Sequence, residues 1–340
     1  MQNTFKSDQR VVDEVERTKW KRTLQTLAKD WRLYVLLIPM LAFLICFKYL
    51  PIYGILNGFK WGAASDPLYN TQWCGSEWLS YIFVGGGSLE FWRAFRNTFV
   101  NSMYGLILGF PIPILLALLF SEIKLAGYRS FLQVAAYLPH FVSATVVTAI
   151  ITLWCNGEIG QNAPGVIYNA LKAVGALNGD TRSVLEHPKF FRPIYQVSGI
   201  WEGAGYGSIV YFAAILAISP TSYEAARIDG ATKVQQIRYV TLPGMAPTLT
   251  IMLIMRIGQI LNVGYEKIIL LIGTRITAWE TGDVVSTVVY RMSGRGEAIP
   301  GVQIIEQMGV VADLFNSIIA MVLVLGANAI SRRVSSTSLF

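Results

Sequence analysis

The sequence predicts an all-α polytopic membrane protein with six transmembrane helices and a cytosolic helix–turn–helix loop. Three observations predict it. The 340-residue chain is 53% hydrophobic and only 14% charged, with a mean hydropathy of +0.46, whereas a soluble domain carries about 25% charged residues. Six apolar stretches approach the roughly 20 residues that a bilayer core requires. Basic residues gather in the tails and the short connections, the arrangement that marks cytosolic segments.

The elements follow in order. The N-terminal tail, residues 1–32, carries Lys6, Arg10, Arg17, Lys19, Lys21, Arg22, Lys29 and Arg32. Trp20, Leu24, Leu27 and Trp31 share one helical face among these cations. The tail therefore reads as an interfacial helix on anionic lipid, or as a solvated segment that orients insertion. A cleavable signal peptide is not expected, because the first apolar stretch starts too late and runs too long. A membrane core over 33–331 holds spans at about 33–50, 99–120, 131–154, 199–218, 249–272 and 308–330. Pro111 and Pro113 fall inside the second. The C-terminal tail, 332–340, begins with Arg332 and Arg333.

Orientation follows from the cations. Lys124 and Arg129 lie in one short connection, and Arg227, Lys233 and Arg238 in another. An even number of spans puts these and both tails on the cytosolic side. Long connections at about 51–98, 155–198 and 273–307, rich in Gly, Trp and Tyr, then face outward. The net charge of +7 is topological, and no stripe of Lys and Arg interleaved with aromatics suggests nucleic acid. Three cysteines without CxxC spacing and only two histidines argue against a zinc site or a disulfide framework. Cys74 and Cys155 both fall in outward loops, which leaves a bridge open.

The loop over 219–244 is a polar island between apolar spans. Thr221-Ser-Tyr-Glu224 reads as a capping box that starts a helix reaching Asp229, which Gly230 ends with a left-handed turn. Thr232-Lys-Val-Gln235 reads as a second box. Val234, Ile237 and Val240 give the next helix an apolar face, and Leu242-Pro243-Gly244 stops it. Glu224 either caps its own helix or faces a partner. Absent chemistry agrees with a non-enzymatic role. The chain has no GxxxxGK[ST] loop for ATP, no HExxH and no GxSxG. Gly85-Gly86-Gly87 reads as loop flexibility.

Glu224-Ala225-Ala226, then Asp229-Gly230-Ala231, then Leu242-Pro243 twelve residues after Gly230, resemble the EAA loop of binding-protein-dependent ABC importer permeases. Ile237 and Val240 stand where that family usually has Phe and Ile. Further segments resemble the polysaccharide branch, which handles pectin-derived and alginate-type oligosaccharides. They are Lys48-Tyr-Leu-Pro-Ile-Tyr-Gly54, Phe91-Trp92 with Arg96-Asn-Thr98, Gly109-Phe-Pro111, Tyr137-Leu-Pro-His-Phe141 and Asn262-Val-Gly-Tyr-Glu266. The likeness runs from about Trp31 to Arg333.

The resemblance implies the type I ABC importer permease fold. It implies that the hairpin docks in a cleft of a separate ATPase subunit, with Glu224, Ala225, Ala226, Asp229, Gly230, Leu242 and Pro243 as coupling residues. The implied partners are a second permease subunit, two ATP-binding subunits, an extracytoplasmic solute-binding protein and an oligosaccharide. ATP and Mg would bind the ATPase, with no cofactor held by this chain.

Polar groups within spans suggest either a wet pathway or pairing. Arg256, Asn262, Tyr265, Glu266 and Glu202 are candidates, with Asn262 to Lys267 read as lying further outward on the same helix as Arg256. Arg256 could meet sugar hydroxyls, pair with a carboxylate, or bind backbone carbonyls. Trp201 and Tyr206 could stack on sugars or belong to the outer aromatic belt. Gly199, Gly203 and Gly207 form a GxxxGxxxG face whose common meaning is close helix packing. His140 reads as a buried histidine at a proline kink. The leading reading is an ABC permease for oligosaccharides. An ion-coupled carrier is the alternative, without the midplane acids or inverted repeat that such carriers tend to show.

Overall fold

A computed structural model describes residues 29–61, 72–159, 163–273, 275–292 and 306–334. The expected tail helix around Trp20, Leu24 and Leu27, and the tail beyond Val334, lie outside these residues. The chain forms two compact units, Met1–Asn57 and Gly58–Phe340.

In the first unit, α1 spans Trp31–Leu44 and continues as a π-helical turn, Ile45–Tyr49, before a 3₁₀ segment over Leu50–Phe59. The helical run of 29 residues outlasts the expected 33–50 because Pro51 does not end it. A wide π turn ahead of a proline relieves the clash of its ring with the carbonyl one turn back.

The second unit starts with α2, Glu77–Phe83, and α3, Ser88–Ile107. After a turn at Leu108–Phe110 comes α4, Pro111–Glu122, with Pro111 in its first turn, where no N–H is needed. This run begins at Ser88, well before the expected 99. Its early turns bury Phe91, Ala94, Asn97 and Thr98 but also carry Glu90, Arg93 and Arg96, which depress local hydropathy.

The third stretch is not one straight span. α5, Ala126–Tyr137, leads through a 3₁₀ turn at Leu138–Phe141 and meets α6, Ala144–Cys155, at 93°. Pro139 lies in that turn, and Ser143 restarts the helix by accepting a hydrogen bond from the Val146 N–H. α7 spans Val166–Ala173, and α8 runs from Pro188 to Leu216. α9, Pro220–Ile228, turns 70° from α8. α10, Lys233–Gln236, a π turn at Ile237–Thr241 and α11, Leu242–Gly244, follow, then α12, Ala246–Gly258, at a 65° bend.

The fifth stretch is also divided. α12 stops at Gly258, and α13, Tyr265–Ile272, is a separate helix. α14, Trp279–Gly282, α15, Val285–Met292, and α16, Glu306–Val334, complete the described chain. Among the described residues three helices are long and apolar enough to cross a membrane, and counting each of three bent pairs as one span raises the number to as many as six.

Three apolar clusters hold the second unit. One joins α6, α7, α8 and α13 through Ile151, Tyr168, Phe191 and Leu271. Another joins α2, α3, α15 and α16 through Ile82, Phe91, Val288 and Met308. A third joins α4, α8 and Met245 through Ala117 and Tyr211. Cys155 is buried in the first and Cys74 in the second, and both thiols are free, so the bridge left open by the sequence does not form. Gly85–Gly87 is a turn wrapped on Tyr81 rather than slack chain: a Cβ on Gly85 would lie 2.9 Å from the Tyr81 backbone. In the connection before α8, Arg182 donates hydrogen bonds to Asp180 and holds that carboxyl well below the usual carboxylate range.

A buried polar node ties these layers together. Asp283 has no solvent exposure and is paired with Arg291, with Arg93 at 3.9 Å and the Thr287 hydroxyl donating at 2.6 Å. Asn97 donates to the carbonyls of Glu280 and Asp283, both at 2.9 Å. The Val285 N–H donates to Thr98 Oγ1 at 2.9 Å, and Arg291 lies over the Trp279 ring at 4.1 Å. Removing one partner of a buried pair strands the other charge and costs about 3–5 kcal/mol. Asp283→Ala is therefore expected to lower the melting temperature of the detergent-purified protein sharply. Asp283→Ala with Arg291→Met is expected to lose less than the single change. A double variant as unstable as the single one would show that the pair is not a coupled unit.

Candidate functional site

The hairpin forms in a way that departs from the sequence reading at one end. Ser219, not Thr221, is the N-cap residue of α9, because Pro220 takes the first helical position. The expected Thr221–Glu224 box is not made, and the Ser219 and Thr221 hydroxyls bond each other at 2.7 Å. Glu224 is exposed and has no ion pair among the described residues. Gly230 has φ +75°, and the Ala231 N–H reaches back to the Ala226 carbonyl at 2.9 Å, the closing bond of a left-handed helix stop. The second box, Thr232 with Gln235, is complete.

Tertiary bonds then fasten the hairpin. Tyr223 and Thr241 hydroxyls meet at 3.1 Å, Gln236 donates to the Ala231 carbonyl at 2.9 Å, and Lys233 pairs with Glu122 of α4 at 2.7 Å. Gly244 lets Ile218 pack close: a Cβ there would lie 2.7 Å from the Ile218 Cδ1 and push that side chain aside. Ala225, Asp229, Leu242 and Pro243 are exposed and Ala226 is half-buried. Ile228 is 86% and Val234 74% exposed, an unusual outlay of apolar surface on a polar segment.

A second feature is a cavity of about 510 Å³ walled by α3, α4, α8, α12, α13 and the break over 259–264. Arg256, near the end of α12, reaches toward Gly105 and Gly109, where a Cβ would approach its guanidinium to 4.0 and 3.4 Å. Its side chain makes no hydrogen bond or ion pair among the described residues. Glu202 of α8 instead pairs with Lys267 of α13 at 2.7 Å, and both line the cavity. Asn262 lines it from the break, not from a helix shared with Arg256. The break is held from α16 by Asn316, which donates to the Leu261 carbonyl at 3.1 Å.

Four other candidates lie outside the cavity lining. Trp201 is 54% exposed, Tyr206 stacks on His140 at 4.0 Å, Tyr265 stacks on Tyr290 at 5.0 Å, and Glu266 is exposed. His140 is exposed in its turn and so is not the buried kink residue expected. The glycine face also differs from expectation. Gly203 has open space where a Cβ would be, and Gly199, Gly203 and Gly207 line the cavity. Close packing falls to Gly205, where a Cβ would lie 1.9 Å from the Ala136 carbonyl oxygen.

Sequence reasoning passed over Asn101, Ser102, Gln196 and Gln259, which also line the cavity. Gln196 donates to the Asn101 carbonyl at 2.7 Å. Both amide atoms of Asn101 and the Ser102 hydroxyl are buried without a partner. Asn97 and Asn101 recur at a four-residue interval on a mostly apolar helix, and that polar stripe was the available signal.

A family model described as the binding-protein-dependent transport system inner membrane component matches residues 109–335. Protein LplB of Bacillus subtilis (strain 168) is 32% identical over 317 residues, covering 93% of each chain. The polygalacturonan/rhamnogalacturonan transport system permease protein YteP of the same organism is 32% identical over 283 residues, covering 82% of this chain and 84% of its own. Among solved structures, a chain of a bacterial ABC transporter involved in the import of the acidic polysaccharide alginate superposes with a TM-score of 0.78 at 38% identity. It covers 93% of this chain and 100% of that one. The same likeness holds for that transporter in complex with an alginate pentasaccharide-bound periplasmic protein, at a TM-score of 0.78.

The two glycine environments on α8 predict opposite outcomes. Gly205→Ala forces a backbone shift against Ala136 and is expected to destabilise by about 1–3 kcal/mol. Gly203→Ala is expected to leave the melting temperature in detergent nearly unchanged. Equal melting temperatures for the two variants would refute this reading of α8.

Proposed function

The chain belongs to the family of binding-protein-dependent transport system inner membrane components, and from that premise we propose that it forms part of a route for acidic oligosaccharides. It is a multi-pass inner membrane protein, the permease subunit of a sugar ABC importer, and ATP hydrolysis falls to a separate ATPase. The ion-coupled alternative has no finding in its favour.

The observation that carries the substrate reading is Arg256, an uncompensated cation beside a cavity. Among the charged groups lining that cavity, Arg256 and Lys267 stand against Glu202 alone. A guanidinium lining a cavity without a carboxylate partner attracts carboxylate, and its planar fork binds carboxylate through two parallel hydrogen bonds. Asn101, Ser102, Gln196, Gln259 and Asn262 supply the neutral donors and acceptors that sugar hydroxyls need. The alginate transporter and the polygalacturonan permease among the similar proteins support the same substrate class.

The remaining parts of the reading concern assembly. The exposed hairpin, with Glu224, Ala225, Asp229, Ile228 and Val234 outward, docks on an ATP-binding subunit that carries ATP and Mg. A pair of such subunits, a second permease and a solute-binding protein complete the importer, in keeping with the periplasmic protein bound in the alginate transporter. Both termini and the hairpin lie in the cytosol, as the basic residues of the tails and short connections indicate. ATP binding closes the ATPase pair, and the hairpin passes that movement through its fastening to α4 and α8.

Two measurements test this. In proteoliposomes with the full importer, Arg256→Gln is expected to cut uptake of a galacturonate oligosaccharide about tenfold, the loss of one charge-assisted contact. Unimpaired uptake would remove the charge-reading role. Glu224→Ala is expected to weaken co-purification of the ATPase and abolish transport while leaving the melting temperature of the permease close to wild type, and Gly230→Pro, which cannot adopt the left-handed turn, is expected to do the same to coupling by disrupting the hairpin. Intact ATPase association in both variants would remove the coupling role.

A further inference from the structure

We propose that Glu202 is an internal stand-in for the substrate's carboxylate: it holds Lys267 between substrates, yields it to an acidic sugar, and reclaims it to expel that sugar. The proposal rests on the acidic reading of the cavity given above. Glu202 of α8 and Lys267 of α13 meet at 2.7 Å, and both line the cavity that Arg256 lines from α12. Their side chains stay 23% and 15% exposed, whereas those of the structural pair, Asp283 and Arg291, are 0% and 4% exposed. A sealed pair meets no competitor. A pair in the wall of a cavity meets whatever enters it. Removing one member of a desolvated pair strands the other charge, but exchanging one carboxylate for another on the same ammonium conserves the interaction. A galacturonate carboxylate can make that exchange, and a sugar hydroxyl, which carries no charge, cannot.

The surroundings suit an exchange. The Lys267 ammonium has three N–H donors, and among the described residues its hydrogen bond is to Glu202. It lies over the ring of Tyr195, another cavity residue, at 5.9 Å. That attraction persists when Glu202 departs. The flexible lysine stem can follow a carboxylate in a way that the planar fork of Arg256 cannot. Glycines keep this part of α8 clear. A Cβ on Gly199 would lie 3.9 Å from Lys267 Nζ, and at Gly203, next to Glu202, a Cβ would meet nothing within 4 Å. The Glu202 carboxylate therefore has space in which to turn aside. Arg256 and Lys267 acting together without a competitor would hold a polyanion tightly. A pathway must bind well enough to admit its cargo and weakly enough to release it. Glu202 supplies the competition that sets this balance.

The test is equilibrium binding of a galacturonate trisaccharide, with a neutral galactose trisaccharide as control, to the complete transporter in nanodiscs. The melting temperature of each variant is measured alongside. Glu202→Gln is expected to tighten galacturonate binding about tenfold and to slow uptake in proteoliposomes, and Lys267→Gln to weaken binding about tenfold. The double variant is expected to bind like Lys267→Gln alone, because a competitor matters only while the cation is present. Binding of the galactose trisaccharide is expected to change little in all three. Unchanged or weaker galacturonate binding in Glu202→Gln, at a melting temperature near wild type, overturns the exchange and makes the pair a structural one. If Glu202→Gln melts early, Glu202→Asp carries the test: its shorter reach loosens the hold on Lys267, and no tightening of galacturonate binding overturns the proposal. Equal shifts for the neutral trisaccharide overturn it too. A loss with Arg256→Gln but no change with Glu202→Gln and Lys267→Gln removes the exchange and leaves the cavity reading standing. No loss with Arg256→Gln overturns the cavity reading itself.

Discussion

The pairing of Asp283 is the interaction on which the rest of the second unit depends. A carboxylate with no exposure survives only if its charge and lone pairs are answered, and here the answers come from Arg291, Arg93 and Thr287. Each answer comes from a particular segment, so satisfying Asp283 sets where α3 and α15 lie. Asn97 and Thr98 extend the same logic along α3, and Arg192 brings in α8 through Asn97. The cavity begins where this network ends, at Asn101 and Gln196. A polar seam thus locates a wet space in a bundle that apolar packing alone would leave free to slide.

Glycines do two opposite jobs beside that seam. Gly205 lets α8 touch the α5 backbone at Ala136, which no side chain would permit. Gly199, Gly203 and Gly207, on another face of the same helix, line the cavity, and at Gly203 a Cβ would meet nothing within 4 Å. Gly105 on α3 and Gly109 in the turn after it leave room for Arg256, whose guanidinium a Cβ there would approach to 4.0 and 3.4 Å. Close contact on one side and a hollow on the other are the same helix seen from two faces, which a spacing pattern alone cannot separate.

The hairpin shows what local sequence encodes well. Gly230 needs φ above zero, and Thr232 with Gln235 needs only four residues to close its box, so both are legible without a fold. The first box failed for an equally local reason. Pro220 fits the first helical position so well that the cap moved to Ser219, and Glu224 was left facing outward. The breaks at Pro139 and at Asn262–Gly264 are harder to read, because a hydropathy window averages across them and joins two helices into one span.

By itself the sequence determined the class of protein, the six apolar crossings, the hairpin and the presence of polar groups within the spans. These depend on composition and on contacts a few residues apart, where the chain's own periodicity carries the information. Tertiary structure alone decided which polar groups meet. It left Arg256 unpaired, joined Glu202 to Lys267, exposed a wall from Asn101 to Gln259 and kept Tyr206 and Tyr265 stacked elsewhere. Those outcomes turn on the angle and rotation of packed helices. Bends of 65–93° at three breaks redirect whole helix faces, and the sequence states the residues of a face without stating what it will oppose.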